Sequence, residues 1–333
     1  MVKIKKVEKR KLLCYNQHEI LFGNTEQIYL FVRGTRRQVM SSFLSYVING
    51  ISLGSVYAII ALGYTMVYGI AKMLNFAHGD VIMVGGYVLF ISIYTAGLNP
   101  FVSLLIAMVF CTILGVVIER VAYKPLRSAS SLAVLITAIG VSYLLQNVAQ
   151  LIFTSNPKMF GSMLNLGTIS LMGGELKIPG STLVMIATGI VIVVGLTIFI
   201  KKSKTGRAML AVSEDKDAAR LMGVNVNKTI AVTFAIGSAL AAIASFLMFN
   251  AYPSLVPTSG SMPGIKAFVA AVFGGIGSIP GAMVGGIVLG LIEILGGAYV
   301  STQLANAIVF TILIVVLIFK PTGLFGKKIK EKV

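Results

Sequence analysis

Long apolar segments follow one another along most of this chain and are separated by short polar connections. They occupy residues 43–70, 81–97, 100–118, 131–153, 181–200, 229–249, 265–278, 281–299 and 303–319. Most of them approach the roughly 20 residues that an α-helix needs to cross the hydrocarbon core of a bilayer. The pattern therefore predicts an all-α, polytopic membrane protein with about eight to ten transmembrane helices.

The most highly charged interruption covers residues 201–228, KKSKTGRAMLAVSEDKDAARLMGVNVNK, with seven lysines and arginines against three acidic residues. An ionised side chain at the centre of a membrane helix costs about 2.5–3.5 kcal/mol, so this loop must be aqueous. Its excess of positive charge places it in the cytoplasm.

This loop also predicts a short helix with acidic residues at its start and a small apolar face. The residues concerned are Ser213, Glu214 and Asp215 at the start, then Ala218, Ala219, Leu221 and Met222. Gly223 suits the position that follows a helix C-terminus. A short helix held between two membrane spans has a shape that docks into a groove on another protein, and the alternative is a solvated loop.

The basic loops predict the sides on which the connections lie. Two apolar segments separate the basic residues 120–127 from the central loop, so both share the cytoplasmic side. Three segments before residue 120 would put the N-terminus outside, whereas the basic start of the chain favours the inside. We therefore expect segment 43–70, with four glycines, to form two passes or a broken helix. After the central loop, three passes put the C-terminus inside, and segment 265–278 is tilted or discontinuous.

Residues 1–39 form a basic N-terminal extension, because the first 40 residues contain nine lysines or arginines and three acidic residues. The apolar stretch 28–32 is too short for a signal-peptide core of about 7–15 residues. The extension is either a cytoplasmic tail resting on anionic lipid or a mis-assigned start upstream of translation at Met40. Residues 40–333 are then the transmembrane domain.

Composition agrees with a membrane protein, with 56% hydrophobic residues, 12% charged residues and a mean hydropathy of +0.91. The net charge of +17 lies in short loops and tails, so it reads as a topology signal and predicts no nucleic-acid partner. Two cysteines, Cys14 and Cys111, and two histidines, His18 and His78, have no metal-ligand spacing. The sequence contains no phosphate-binding loop and no nucleophile motif, which predicts no ATP hydrolysis by this chain itself.

Several polar side chains lie at or near membrane depth and are candidates for a translocation pathway. They are Asn75, His78, Asp80, Gln146 and Glu293. The alternatives are an interfacial loop in which Asp80 caps a helix beginning at Val81, and a Gln146 amide that bonds across helices. Glu293 is an isolated acid that must be neutral, paired or facing water, and no lysine, arginine or histidine is identified as its partner.

The glycine-rich stretch 274–286 is interpreted as a packing device. It follows no strand of a dinucleotide-binding unit, and it lacks the acidic residue that such a unit needs. The pairs Gly281–Gly285 and Gly286–Gly290 repeat at helix-face spacing, which favours close helix packing. Pro280 marks a sharp bend.

Six stretches of the chain together resemble the ATP-binding-cassette permeases that import leucine, isoleucine and valine with high affinity. They are NGISLGSVYAIIALGYTMVYGI with NFAHGD (49–80), IERVAYKPLR (118–127), ITAIGVSYLLQN (136–147), GRAMLAVSEDKDAARLMGVNVNKTIAVTFAIGSALAA (206–242), KAFVAAVFGGIGSIPGAMVGG (266–286) and KPTGLFG (320–326). The resemblance runs from about Met40 to the C-terminus, and residues 1–39 depart from it.

The resemblance implies a non-catalytic permease in a prokaryotic cell membrane, without a cofactor of its own. A second related permease, two cytoplasmic ATPase subunits and an extracytoplasmic solute-binding protein would be its partners, and a branched-chain amino acid its substrate. The ATPases would contact the loop at Gly206, Arg207, Ala208, Glu214, Asp215, Ala218, Ala219 and Gly223. The alternatives are another small solute, such as urea, an amide or more distantly a sugar or nucleoside, and an ion-coupled secondary carrier that uses Glu293 with Asp80.

Overall fold

The computed structural model describes residues 39–127, 129–164, 166–171, 174 and 176–326. The extension predicted at 1–39, with Cys14 and His18, lies outside these ranges except for its last residue. The alternatives for that extension therefore stay predictions.

Helices dominate the described part of the chain. They are α1 (Val39–Ala71), α2 (His78–Phe90), α3 (Pro100–Ile118), α4 (Ser131–Phe153), α5 (Gly180–Lys202), α6 (Lys204–Glu214), α7 (Lys216–Leu221), α8 (Val226–Ala251), α9 (Ser261–Gly274), α10 (Ile279–Tyr299) and α11 (Ala305–Phe319). A π-helical turn, Ile91–Thr95, extends α2, and the turns Glu119–Tyr123 and Lys124–Leu126 extend α3. The short strands are β1 (Lys158–Met159), β2 (Thr168–Leu171), β3 (Leu176–Pro179) and β4 (Ser254–Leu255).

Within the described ranges, seven helices are long and apolar enough to cross a membrane: α1, α2 and α3 with their extensions, α4, α5, α8 and α10. Two shorter apolar helices, α9 and α11, have 14 and 15 residues. The seven long helices and the two shorter ones together make nine among the described residues, which falls within the predicted eight to ten. The prediction of an all-α polytopic membrane protein is confirmed.

The prediction that segment 43–70 forms two passes or a broken helix is wrong. A single unbroken helix, α1, runs for 33 residues. Its glycines face neighbouring helices, because a Cβ at Gly54 would lie 2.6 Å from Ile287 Cα and one at Gly63 would lie 2.2 Å from His78 Nε2. The glycines therefore mark close helix contacts and not a break.

The end of α1 lies beside the central loop. Lys216 in the central loop donates a hydrogen bond to the Ala71 carbonyl at 2.8 Å, so α1 ends on the side of that loop. Because α1 is a single span, Tyr46 near its start lies at the opposite end of the helix from that loop. The predicted cytoplasmic side of the N-terminus falls on residues outside the described ranges and stays a prediction. At that opposite end, the Tyr46 ring packs edge-on against Tyr299 at the end of α10, with centroids 5.9 Å apart.

The interior of the helix bundle consists mainly of α1, α2 and α8. In their most apolar windows 56%, 61% and 67% of residues are buried, against 17% in α4. Because α4 presents most of its surface outward, lipid or a partner protein must cover it.

The glycines of α10 pack directly on its neighbours, as the helix-face spacing predicts. Gly281 and Gly285 face α9, because an added Cβ would lie 2.3 Å and 2.1 Å, respectively, from a carbonyl oxygen of that helix. Gly286 and Gly290 face α1, because an added Cβ would lie 2.5 Å and 2.3 Å, respectively, from a backbone nitrogen of that helix. Pro280 lies in the first turn of α10, where its missing N–H costs nothing. The interpretation of 274–286 as a packing device is confirmed.

Two helices begin inside the bundle. His78, the first residue of α2, touches Gly63, which lies eight residues before the end of α1, or about 12 Å along the helix axis. At Gly260, immediately before α9, a Cβ would lie 2.0 Å from the Gly79 carbonyl oxygen. The starts of α2 and α9 therefore meet within the bundle, and the predicted discontinuity of segment 265–278 corresponds to the short helix α9.

Candidate functional site

The first half of the charged loop is a helix fixed closely to the end of α5. The Ser203 hydroxyl accepts a hydrogen bond from the Gly206 N–H at 2.8 Å and caps α6. A Cβ at Gly206 would lie 2.4 Å from Ile200 Cα, so only glycine permits this approach. Arg207 is exposed and Ala208 is half-buried. Gly206 therefore orients the loop, whereas Arg207 remains accessible to a partner.

The second half of the loop is the short helix α7. The Asp215 carboxylate caps it by accepting hydrogen bonds from the N–H groups of Asp217 and Ala218 at 2.8 Å and 3.0 Å. The Ser213 hydroxyl does not cap this helix, because it donates to a carbonyl within α6 at 2.7 Å. The cap is Asp215, one of the two acidic residues predicted at the helix start. Glu214 is the last residue of α6 and is exposed.

Gly223 ends α7 as predicted. It has a φ of +82°, a left-handed conformation that favours glycine. Its N–H donates to Arg220 O at 3.0 Å, and the Val224 N–H donates to Ala219 O at 3.0 Å. This pair of hydrogen bonds is a Schellman motif, which gives the tip of the loop a fixed shape.

The tip carries a small apolar surface. Leu221 is 89% exposed and Met222 is 85% exposed, and Ala218 beside them is exposed. We call Ala218, Leu221 and Met222 the loop tip. Ala219 is only 4% exposed, so it holds α7 against the protein and offers little surface to a partner. Large apolar side chains exposed at an aqueous tip are typical of a docking surface.

Lys216, the first residue of α7, ties the loop to α1. Its Nζ donates to the Ala71 carbonyl at the C-terminus of α1, where the helix dipole favours a positive charge. Desolvation, followed by the charges of Arg127 and Lys72, lowers the pKa of Lys216. Lys72 has a φ of +58°, an uncommon conformation for a side-chain-bearing residue. The chain therefore turns sharply at Lys72, directly after the residue to which Lys216 bonds.

A second polar contact joins the end of α3 to the start of α8. Arg127 forms an ion pair with Glu119 and donates to the Asn227 side chain at the start of α8. Glu119 is 1% exposed, so Arg127 compensates a buried charge.

Inside the bundle, Asp80 and Gln146 come together although 66 positions separate them in sequence. The Gln146 amide donates to Asp80 Oδ1 at 2.9 Å, to Ser142 Oγ at 3.2 Å and to Ser261 Oγ at 3.1 Å. Asp80 is 1% exposed. These four residues, which we call the Asp80 cluster, join α2, α4 and α9 where α2 and α9 begin.

Asn75 and His78 lie beside this cluster. Asn75 accepts a hydrogen bond from the Tyr123 hydroxyl at 2.9 Å, and the His78 ring packs edge-on against Tyr64 with centroids 4.9 Å apart. Both Asn75 and His78 are buried. The alternative in which Asp80 caps a helix beginning at Val81 is wrong, because α2 begins at His78 without a side-chain cap.

Glu293 lies apart from the Asp80 cluster and has a partner that sequence analysis missed. Lys266 Nζ on α9 lies 2.7 Å from Glu293 Oε1, and the Tyr57 hydroxyl on α1 donates to Oε2 at 3.0 Å. Of the alternatives given for Glu293, the structure therefore supports the paired one, and it identifies Lys266 as the basic partner. The missed signal was a single lysine in the otherwise apolar helix that precedes the helix of Glu293.

These features define a class of protein. Apolar membrane spans, a capped helical loop with an apolar tip and polar side chains buried between the spans are the parts of a solute permease. In the described ranges no three His, Cys, Asp or Glu side chains come together as a metal site would require.

Comparison with known proteins identifies the family. The sequence pattern of the family described as "Branched-chain amino acid transport system / permease component" matches residues 46–318. This chain belongs to that family.

Individual relatives match over nearly their whole length. The chain is 44% identical to the high-affinity branched-chain amino acid transport system permease protein BraD of Pseudomonas aeruginosa, with 87% of this chain and 98% of the relative covered. It is also 44% identical to the permease protein LivH of Escherichia coli, with the same coverage. The probable LivH permease of Methanocaldococcus jannaschii is 29% identical, with 85% of this chain and 93% of the relative covered.

Proposed function

We propose that this chain is the membrane-spanning permease subunit of an ATP-driven importer of branched-chain amino acids. It works in the plasma membrane of a prokaryote and has no catalytic role of its own. Two cytoplasmic ATPase subunits hydrolyse ATP, a second related permease completes the membrane part, and an extracytoplasmic solute-binding protein delivers the amino acid. Family membership and the names of the relatives support the substrate class.

The observation that carries the coupling role is the geometry of the charged loop. Both of its helices are capped, Gly206 packs it against α5 and Lys216 bonds it to α1. A loop held in this way transmits a force applied at its tip to the membrane helices, whereas a solvated linker would absorb it. The ATPase subunits bind the exposed loop tip together with Arg207, Glu214 and Asp215.

In the same proposal, the Asp80 cluster lies along the translocation pathway with Asn75 and His78. Movement of α1 reaches these residues directly, because the six-residue connection after α1 contains Asn75 and leads into α2. The two conformations of the bundle then open the pathway alternately to the two sides. The pairing of Glu293 with Lys266 argues against an ion-coupled carrier, since the carboxylate is already compensated.

The test is uptake of labelled leucine into membrane vesicles that contain the chain, its partner permease, the ATPases and the binding protein. One variant, Leu221→Arg with Met222→Arg, places charge on the loop tip. Its control, Thr322→Arg, adds charge at an exposed site outside the loop.

We expect uptake to require internal ATP and to fall at least tenfold in the tip variant, because burying a charge in an apolar groove costs more than ~1.4 kcal/mol. The control keeps the uptake of the parent. Uptake that ignores ATP, or that follows a proton gradient and is lost in Glu293→Gln, would show a secondary carrier instead.

A further inference from the structure

Lys266 and Glu293 form an ion pair between α9 and α10, at membrane depth. The Tyr57 hydroxyl donates to the second carboxylate oxygen, and the Tyr57 ring centroid lies 5.9 Å from Lys266 Nζ. The Lys266 side chain is 9% exposed and that of Glu293 is 17% exposed. The pair is thus largely buried, and the Glu293 side chain keeps some accessible surface.

The pair has apolar neighbours with free surface. Met262 lies one helical turn before Lys266 on the same face of α9, and it is 42% exposed. Ile265, next to Lys266, is 40% exposed. Tyr252, just beyond the end of α8, is close enough that the Glu293 charge adds to burial in raising the pKa of its phenol. Met262 and Ile265 therefore offer exposed apolar surface on the part of α9 next to Lys266.

Helix packing does not account for the pair. Gly290 against Gly54 already holds α10 to α1, and Gly285 against Ala270 holds it to α9. A buried ion pair is weak support for stability, since well-packed apolar residues of similar volume often replace it at no loss. A charged pair retained at such a place is a functional-site hypothesis for an intramembrane segment.

We propose that Lys266 and Glu293 bind the carboxylate and the ammonium group of a zwitterionic α-amino acid, whose apolar side chain contacts Met262 and Ile265. This inference rests on the import function proposed above. The amino acid opens the ion pair and replaces it with two, Lys266 with the substrate carboxylate and Glu293 with the substrate ammonium group. The summed charge is zero before and after the exchange.

Because every charge is paired only when a zwitterion binds, the site is selective for zwitterions. An amine without a carboxylate would leave Lys266 unpaired, and an acid without an ammonium group would leave Glu293 unpaired. An unpaired charge at such depth lowers binding by roughly 100-fold or more. The site therefore accepts zwitterions and rejects single ions, which also prevents an ion leak in the absence of substrate.

The first test uses Met262→Cys as a reporter, with Cys14→Ser to remove a competing thiol; Cys111 is buried. Alkylation by a maleimide is followed in proteoliposomes that contain the assembled transporter. Val191→Cys, at a 68% exposed position on α5, is the control. We expect leucine to slow alkylation at residue 262, while leucinamide and 4-methylpentanoate do not, and no compound to affect residue 191. Absence of protection by leucine, or equal protection by all three compounds, overturns the inference.

The second test neutralises the pair with Lys266→Met and Glu293→Gln together, which leaves no charge unpaired. We expect leucine uptake to fall at least tenfold, equivalent to losing ~1.4 kcal/mol or more, with ATP hydrolysis stimulated by the binding protein retained. Uptake within about twofold of the parent would leave the pair a structural role only.

The two tests separate this inference from the import function. If uptake by the parent is independent of ATP, the import proposal fails, whereas alkylation of residue 262 still reports whether zwitterions bind. If the neutral variant does not assemble, the protection experiment decides alone, because it leaves Lys266 and Glu293 in place.

Discussion

Gly290→Ala tests how closely α10 must approach α1. A Cβ at residue 290 would lie 2.4 Å from Gly54 Cα and 2.3 Å from Gly54 N. Carbon atoms in favourable contact are about 3.5–4.0 Å apart. The two helices must therefore separate locally by about 1 Å or more.

That separation also affects the hydrogen bond between Tyr57 and Glu293, which each lie one turn away. Because α1 and α10 run antiparallel, Tyr57 and Glu293, each three residues after Gly54 or Gly290, flank the glycine contact on opposite sides. Their hydrogen bond of 3.0 Å joins the two helices across that contact and would lengthen past the range of about 2.5–3.0 Å for such bonds. Overpacking costs about 1–3 kcal/mol, and losing a hydrogen bond to a charged group costs about 1.5–3 kcal/mol. We expect the free energy of unfolding to fall by about 3–5 kcal/mol.

The assay heats the purified protein in detergent to a series of temperatures and measures by size-exclusion chromatography the fraction that remains folded. At about 2–4 °C per kcal/mol, the Tm of Gly290→Ala should fall by roughly 10 °C. Gly195→Ala on α5 is the matched control, because nothing lies within 4 Å of the added Cβ; its effect should stay within about 0.5 kcal/mol. A Gly290→Ala protein that melts within about 2 °C of the parent would refute the close packing.

Three further predictions concern the loop and the Asp80 cluster. Gly223→Ala forces a methyl group onto a left-handed residue at a cost of about 1–2 kcal/mol, and amide hydrogen exchange in α7 should rise at least about fivefold. Lys216→Met removes the bond to α1 and should lower the number of leucine molecules moved per ATP in proteoliposomes, whereas Lys228→Met, exposed on the same loop, should not. Gln146→Leu removes the amide donor of buried Asp80, at about 1.5–3 kcal/mol, so leucine uptake should fall about tenfold or more; uptake equal to the parent would remove the cluster from the pathway.

Features of the loop such as its helix ends could be predicted from the sequence, because they depend on interactions between residues close together in the chain. Gly223 ends α7 since glycine alone adopts its φ without cost, and this depends on neighbours only a few positions away. The predicted start covered Ser213, Glu214 and Asp215. Serine and aspartate are both good caps, and the hydrogen bonds of the folded chain select the aspartate.

Long-range contacts were beyond sequence analysis. The composition of one chain does not reveal that Gln146 meets Asp80, because the pairing depends on how α2 and α4 cross. The basic partner of Glu293 was not identified for the same reason: Lys266 lies 27 positions earlier, on an adjacent helix. Glycines in segment 43–70 could signal either breaks or close contacts, and only the neighbouring helices decide between them.

The unbroken course of α1 links the loop, the buried cluster and the ion pair. Lys216 holds its end at Ala71, His78 packs on it at Gly63, and Tyr57 bonds Glu293 from it. These contacts lie within the 15 residues from Tyr57 to Ala71, or about 21 Å of helix axis. A break in this stretch would let each contact move alone. Because the stretch is continuous and buried, a displacement imposed at the loop reaches the other two contacts through one rigid element, which is the physical requirement for coupling without a catalytic residue.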